Sequence, residues 1–196
     1  GLVGSEMCIR DRYMIEVYEH FMTRMGEDRT YDVHIQESQM DEMQKEVFLA
    51  RFVPQPERTT INFCVLGGIF SEGIDLTEDR LIGVIVVGVG LPQIGLERDL
   101  IKDYFNAHER EGYHYAYSYP GINKVFQAVG RLIRTEKDRG IILLIDDRFT
   151  TPFYRNLLVG DQSVDRIVNI ESVEGEIVEY LSLIHISEPT RPISIS

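Results

Sequence analysis

Three short apolar runs, each bounded by turn residues and set apart by stretches long enough for a helix, constrain this chain more than any other feature of its sequence. Thr60 to Leu66 is β-branched and aromatic and gives way to Gly67-Gly68. Leu81 to Val89 is apolar almost throughout, and Ile141 to Ile145 stops abruptly at Asp146-Asp147. Such runs predict buried strands, the second covered on both faces. Helical spacing fills the intervals. Met14, Val17, Tyr18, Phe21 and Met25 recur at three and four from Tyr13 to about Met25. After Ser38, Met40, Met43, Val47 and Phe48 form a face before Pro54. Glu97 to Arg110 and Pro120 to Arg134 predict two more helices, and another starts near Pro152. Shorter strands are predicted at Asp32 to Gln36 and Asp165 to Ile170. Strands alternating with helices predict α/β architecture: one domain with a mostly parallel central sheet flanked by helices. Ligands bind such a sheet at the carboxyl ends of its strands, so a site is expected just past Leu66, Val89 and Ile145.

The chain has 196 residues, enough for one core of ordinary domain size. Its 32 acidic against 20 basic residues give a net charge of -12, which excludes a polycation that coats phosphate backbones through bulk charge but leaves room for a local basic site. Cys8 and Cys64 cannot build a disulfide framework or a four-thiolate metal site, and a reducing, cytoplasmic setting is expected. The longest apolar run, Leu81 to Leu91, is about half of the roughly 20 residues a membrane-spanning helix needs, so no membrane partner is expected. The two ends read differently from the middle. Residues 1–12, GLVGSEMCIRDR, and residues 182–196, SLIHISEPTRPISIS, resemble translated sequencing-adapter read-through and are set aside, with disordered termini as the alternative. That leaves residues 13–181 as the domain, with Cys64 as a small buried hydrophobe.

QAVGRLIR, Gln127 to Arg134, carries the sharpest chemical signal. On a helix Gln127, Arg131 and Arg134 share one face, while Val125, Val129, Leu132 and Ile133 point into the core. Gly130 in mid-helix costs roughly 1 kcal/mol relative to alanine and predicts close approach by something. Two guanidiniums and an amide aimed at one point suit a phosphate, because a guanidinium is a fixed donor fork that keeps its proton. A solvated basic helix face has the same spacing, and spacing alone does not separate the two. GGIFSEGID, Gly67 to Asp75, follows a predicted strand and offers Ser71, Glu72 and Asp75 at the ligand edge; an ordinary βα loop would look the same.

Several chemistries lack their residues. The chain has no G-x-x-x-x-G-K-[ST] phosphate loop, no G-x-S-x-G elbow, and no H-x-x-x-H or H-E-x-x-H pair, so no metal site is expected. Gly88-Val89-Gly90-Leu91-Pro92-Gln93 starts like a dinucleotide fingerprint but has Gln93 in the third glycine's place. IILLIDD mimics a magnesium-positioning strand; without a phosphate loop its acids are expected in a structural or relay role.

In chain order, GGIFSEGIDL, the strand leading to GLPQ, and YPGINKVFQAVGRLIRTEKDRGIILLIDDRF resemble the second motor domain of the XPD/DinG family of superfamily two DNA helicases. The resemblance covers essentially Tyr13 to Leu181, with FSEGID similar to helicase motif V and QAVGRLIR to motif VI. It implies a RecA-like domain of an ATP-dependent DNA helicase involved in DNA repair. Arg131 and Arg134 would act as catalytic arginine fingers on ATP with Mg2+, held mainly by an N-terminal motor lobe that has no counterpart here. Gln127, Glu72, Gly73 and Asp75 would face the nucleotide, and Ser71 would touch a phosphate of single-stranded DNA. Movement would run 5′ to 3′. The family often carries an iron-sulfur cluster in the first lobe, and none is expected in this chain. The rival expectation is a RecA-like, non-catalytic protein-interaction module that keeps its arginines for acidic contacts.

Overall fold

The structure is a computed structural model that describes residues 9–25, 30–67, 80–132 and 140–159. The chain divides into two compact units that part between Ile145 and Asp146.

In the first unit, α1 (Ile9–Met25), β1 (Tyr31–Ile35), α2 (Glu42–Leu49) and β2 (Thr59–Phe63) follow one another. Helix α1 runs across the boundary expected at residue 12. β1 and β2 pair in parallel from Tyr31 opposite Thr59 to Ile35 opposite Phe63, with α2 in the crossover. Alternation along the strands puts Tyr31 and Phe63 on one face. Tyr18 and Phe21 of α1 pack there, each with its ring centroid 5.4 Å from Phe63. Gln36 secures the strand ends, its backbone N–H donating to the Phe63 carbonyl and its side-chain oxygen accepting from the Val65 N–H.

Helix α2 starts later than its predicted signal. Asp41, not Ser38, caps it through a reciprocal box with Gln44, both bonds 2.8 Å. Its predicted face is also corrected. Phe48 is buried with Phe52, against Met40, Leu49, Cys64 and Leu81, whereas Met43 and Val47 are 75% and 57% exposed. A short helix with apolar residues on two sides leaves the choice of face to whatever lies across from it.

The second half of this unit holds β3 (Gly83–Val87), α3 (Leu96–Ala107), α4 (Tyr119–Val129) and β4 (Ile141–Ile145). β3 and β4 are again parallel, from Gly83 opposite Ile141 to Val87 opposite Ile145. Among the described residues the four strands therefore form two two-stranded ladders. β3 is not covered on both faces as predicted: Val86 is buried and Ile85 is 63% exposed. An unbroken apolar run cannot by itself distinguish one buried face from two.

α4 buries Val125 and Val129 as predicted, and Ile122 with them; Leu132, also predicted inward, is buried just beyond it, but the helix ends at Val129 instead of Arg134. A π turn, His114–Ser118, leads directly into it. Pro120 explains that turn. A proline inside a continuous helix lacks an N–H and crowds the carbonyl four residues back. Widening the preceding turn, so that the Tyr119 N–H reaches the His114 carbonyl, relieves the conflict. The predicted strand at Asp165 to Ile170 lies outside the described residues.

In the second unit Asp146 caps a 3-10 turn, Asp147–Thr150, and α5 (Pro152–Val159) follows. Phe149, Tyr154 and Leu158 are buried there. Among the described residues no helix is long and apolar enough to cross a membrane.

Candidate functional site

The carboxyl ends of β2 and β3 meet helix α4 through glycines. Gly90 has φ +66°, and a Cβ on it would lie 3.0 Å from the Gly121 carbonyl oxygen. A Cβ on Gly121 would lie 2.6 Å from the Val89 carbonyl oxygen. Backbone therefore rests on backbone, and only glycine permits that approach. The PG of YPGINK and the GVG after β3 were the signals for this contact, although the first was legible only as a helix start and the second only as a failed fingerprint.

One turn further along α4, Lys124 lies across Gly67. That glycine has φ +85°, and a Cβ on it would sit 2.9 Å from Lys124 Cδ and 3.2 Å from Cε. The lysine stem thus occupies the space a side chain at 67 would take. Burial, then the nearby positive charges of Arg10 and Arg98, hold the Lys124 ammonium below the ordinary lysine range.

Of the residues predicted to bind or react, Gln127 is exposed on α4 and Arg131 is partly buried just beyond it. Ser71, Glu72, Gly73, Asp75 and Arg134 lie outside the described residues. Gly130 is not in mid-helix. It occupies the C-cap of α4, with φ -66°, and its N–H donates to the Phe126 carbonyl at 2.7 Å. The ladder then tightens to i→i+3 bonds, Arg131 N–H to Ala128 at 3.2 Å and Leu132 N–H to Val129 at 2.9 Å. A tighter turn advances each residue by a larger angle, so Arg131 departs from the straight α-helical ridge that spacing predicts.

Asp146 has a structural role. Its carboxylate accepts from Arg148 Nε at 2.8 Å, Nη2 at 2.7 Å and the backbone N–H at 2.9 Å. The Arg148 hydrogen bond, outweighing the cost of burial, holds this carboxyl below the usual carboxylate range. Both oxygens accept from Arg148, which fits the structural role expected of this acid.

A cavity of about 320 Å³ opens beside β1 and β2, lined in part by Asp32, His34, Arg51 and Arg58. Two of its charges are paired with each other, Arg58 Nη1 lying 3.1 Å from Asp32 Oδ1. His34 titrates below its ordinary range through burial and Arg51, partly offset by Asp32. The Cys64 thiol is pushed well up by burial, which makes it an inert hydrophobe. Among the described residues no three metal-ligating side chains are grouped, and the chain's two cysteines cannot hold a four-thiolate cluster.

Residues 11–162 match the family described as Helicase C-terminal domain. The ATP-dependent DNA helicase CHL1 of Candida albicans is 34% identical over 119 residues, which cover 55% of this chain and 14% of that protein. Regulator of telomere elongation helicase 1 of Bos taurus is 33% identical over 113 residues, covering 53% and 9%. A solved structure described as XPD_APO aligns with a TM-score of 0.48 and 17% identity, over 76% of this chain and 33% of that one. This chain thus spans a small part of the length of the curated relatives it matches.

Proposed function

Because this chain belongs to the helicase C-terminal domain family, we propose that it is the second motor lobe of an ATP-dependent DNA helicase and completes an ATP site shared with a first lobe. The family match over residues 11–162 is the observation that carries this reading. The anchoring of α4 supports it. Gly121 against Val89 fixes the helix at the strand ends, so the Gln127-to-Arg131 stretch leaves the sheet from a rigid base.

In this reading residues 13–181 form the lobe, and residues 1–12 and 182–196 are foreign to it. ATP with its magnesium is held mainly by the first lobe's phosphate loop. Arg131 and Arg134 reach the γ-phosphate and stabilise the charge that builds as its bond to the leaving oxygen breaks; arginine fingers contribute on the order of 10³ to 10⁵ in rate. Gln127 orders that cluster. Glu72, Gly73 and Asp75 face the nucleotide, and Ser71 donates a hydrogen bond to a phosphate of single-stranded DNA. Closure on ATP and opening after hydrolysis move the lobes 5′ to 3′ along the strand. Any iron-sulfur cluster belongs to the first lobe, since this chain lacks the thiolates.

Two measurements test the proposal. The purified 196 residues alone should show no ATPase, because half of the nucleotide site is absent. Mixed with a first lobe from the family, the chain should support DNA-stimulated hydrolysis, and Arg134→Ala should lower kcat by about 10³. Robust turnover by the isolated chain, or unchanged kcat in the variant, overturns the shared-site assignment.

A further inference from the structure

We propose that the outer edge of β1 accepts an extended peptide segment of a protein partner as an added strand, with an apolar side chain entering a cavity on the α1 side and an acidic one entering a cavity on the Arg51 side. The inference does not rest on the motor assignment.

Backbone direction comes first. The Gln36 N–H donates to the Phe63 carbonyl at 2.8 Å, which fixes the phase of the β1–β2 ladder. In a parallel pair the N–H and C=O of one residue point the same way, and those of the next residue point the opposite way. Gln36, His34 and Asp32 therefore address β2, while Tyr31, Val33 and Ile35 turn their backbone groups to the other edge. Among the described residues no strand pairs with them there. A row of unmatched donors and acceptors is a template for another chain. The sequence of β1, YDVHI, has none of the lysines or prolines that commonly blunt such an edge.

Two cavities flank this edge. One, of about 210 Å³, is lined by Tyr18 and Met22 of α1 and by four consecutive residues of β1, Tyr31 to His34. Successive side chains of a strand point to opposite faces, so a cavity that touches all four lies along the strand's edge. The Tyr31 hydroxyl is buried and has no hydrogen-bond partner among the described residues, a cost that a polar group arriving at this edge can remove. The other cavity, of about 320 Å³, is lined by Asp32, His34 and Thr60 on the opposite face of the ladder. An added strand sends its own side chains alternately to the same two faces. Neighbouring residues of the peptide thus meet one cavity and then the other.

The linings set what each takes. Tyr18, Met22 and Tyr31 offer aromatic and thioether surface to a branched aliphatic side chain. The larger cavity has Arg51, Arg58, His34 and Thr60 as donors against two carboxylates, Asp32 and Glu57. Asp32 is already met by Arg58 at 3.1 Å, and Glu57 is exposed. Arg51 is held with its guanidinium carbon 5.8 Å from the centre of the Phe48 ring, and a guanidinium so restrained suits a carboxylate.

The test uses the 196-residue chain and a capped peptide of alternating valine and glutamate, read by amide hydrogen exchange. The amides of Tyr31, Val33 and Ile35 should slow about tenfold when peptide is bound, whereas those of Asp32 and His34, already bonded to β2, should change little. Two further versions, N-methylated at every valine or at every glutamate, keep all side chains. The version whose methyls face β1 should bind about tenfold more weakly than the other. Arg51→Gln should weaken the glutamate peptide about fivefold. Equal binding by the two methylated versions overturns the proposal, as does protection that does not alternate along β1 or equal binding of a valine and lysine peptide. If sedimentation shows a dimer that alone protects these amides, the edge belongs to a second copy and the proposal fails. Val33→Pro removes an outward donor without touching a bond to β2 and should abolish binding. If that variant does not fold, the exchange pattern of the unmodified chain decides.

Discussion

The two parallel ladders are built alike and put their polar groups to opposite uses. Each joins five residues to five in register. β1 and β2 carry Asp32, His34, Thr60 and Asn62 within the ladder, and the charge at Asp32 is met locally by Arg58. β3 and β4 carry no polar side chain at all along GVIVV and IILLI. Where β3 stops, Gly90 rests against Gly121 of α4. The first ladder meets the charge of Asp32 with Arg58 beside a cavity; the second is apolar along both strands and is held where β3 stops by backbone resting on backbone.

The largest effect that could break this contrast is expected at Gly121. Gly121→Ala forces a methyl against the Val89 carbonyl, which cannot move without shifting β3 or α4. It should cost about 3 kcal/mol in urea unfolding. Gly67→Ala meets only the flexible stem of Lys124, at a backbone angle that favours glycine, and should cost about 1 kcal/mol. Equal costs at the two positions would mean that the edge is not held by backbone contact. On the other ladder, Arg58→Ala removes a half-exposed pair and should change stability by no more than about 0.5 kcal/mol.

The last difference is one of pH. His34 titrates below the ordinary histidine range in the folded chain, so over the interval below about pH 6.5 the unfolded chain binds the proton first. Its contribution to stability is present above that pH and is lost as pH falls towards the folded value. Arg51→Gln removes one of the two lowering influences, and the His34 ring resonances should then titrate at higher pH. An unchanged NMR titration would show that burial alone sets the shift.

Much of the fold was legible because it depends on local pattern. Ile141–Ile145 was read residue for residue, and α3 differs from its predicted span by one residue at the start and three at the end. The errors have a shared origin. Met43 and Val47 of α2 and Ile85 of β3 were assigned to buried faces because they are apolar, yet burial depends on what packs opposite. The π turn was missed because spacing counts residues and does not register how Pro120 strains a continuing helix. Arg131 was placed on an unbroken helix because the tightening after Val129 leaves no mark in composition.

By itself the amino-acid order determined which segments become strands and helices, that the strands run parallel, and which motifs stand at the strand ends. These follow from apolar periodicity and connection length, both local properties of a chain. Only the folded structure decided that Lys124 lies over Gly67, while Asp146 is taken by Arg148. Whether a charge finds a partner depends on distances between residues far apart along the chain. Packing sets those distances, and no spacing rule contains them.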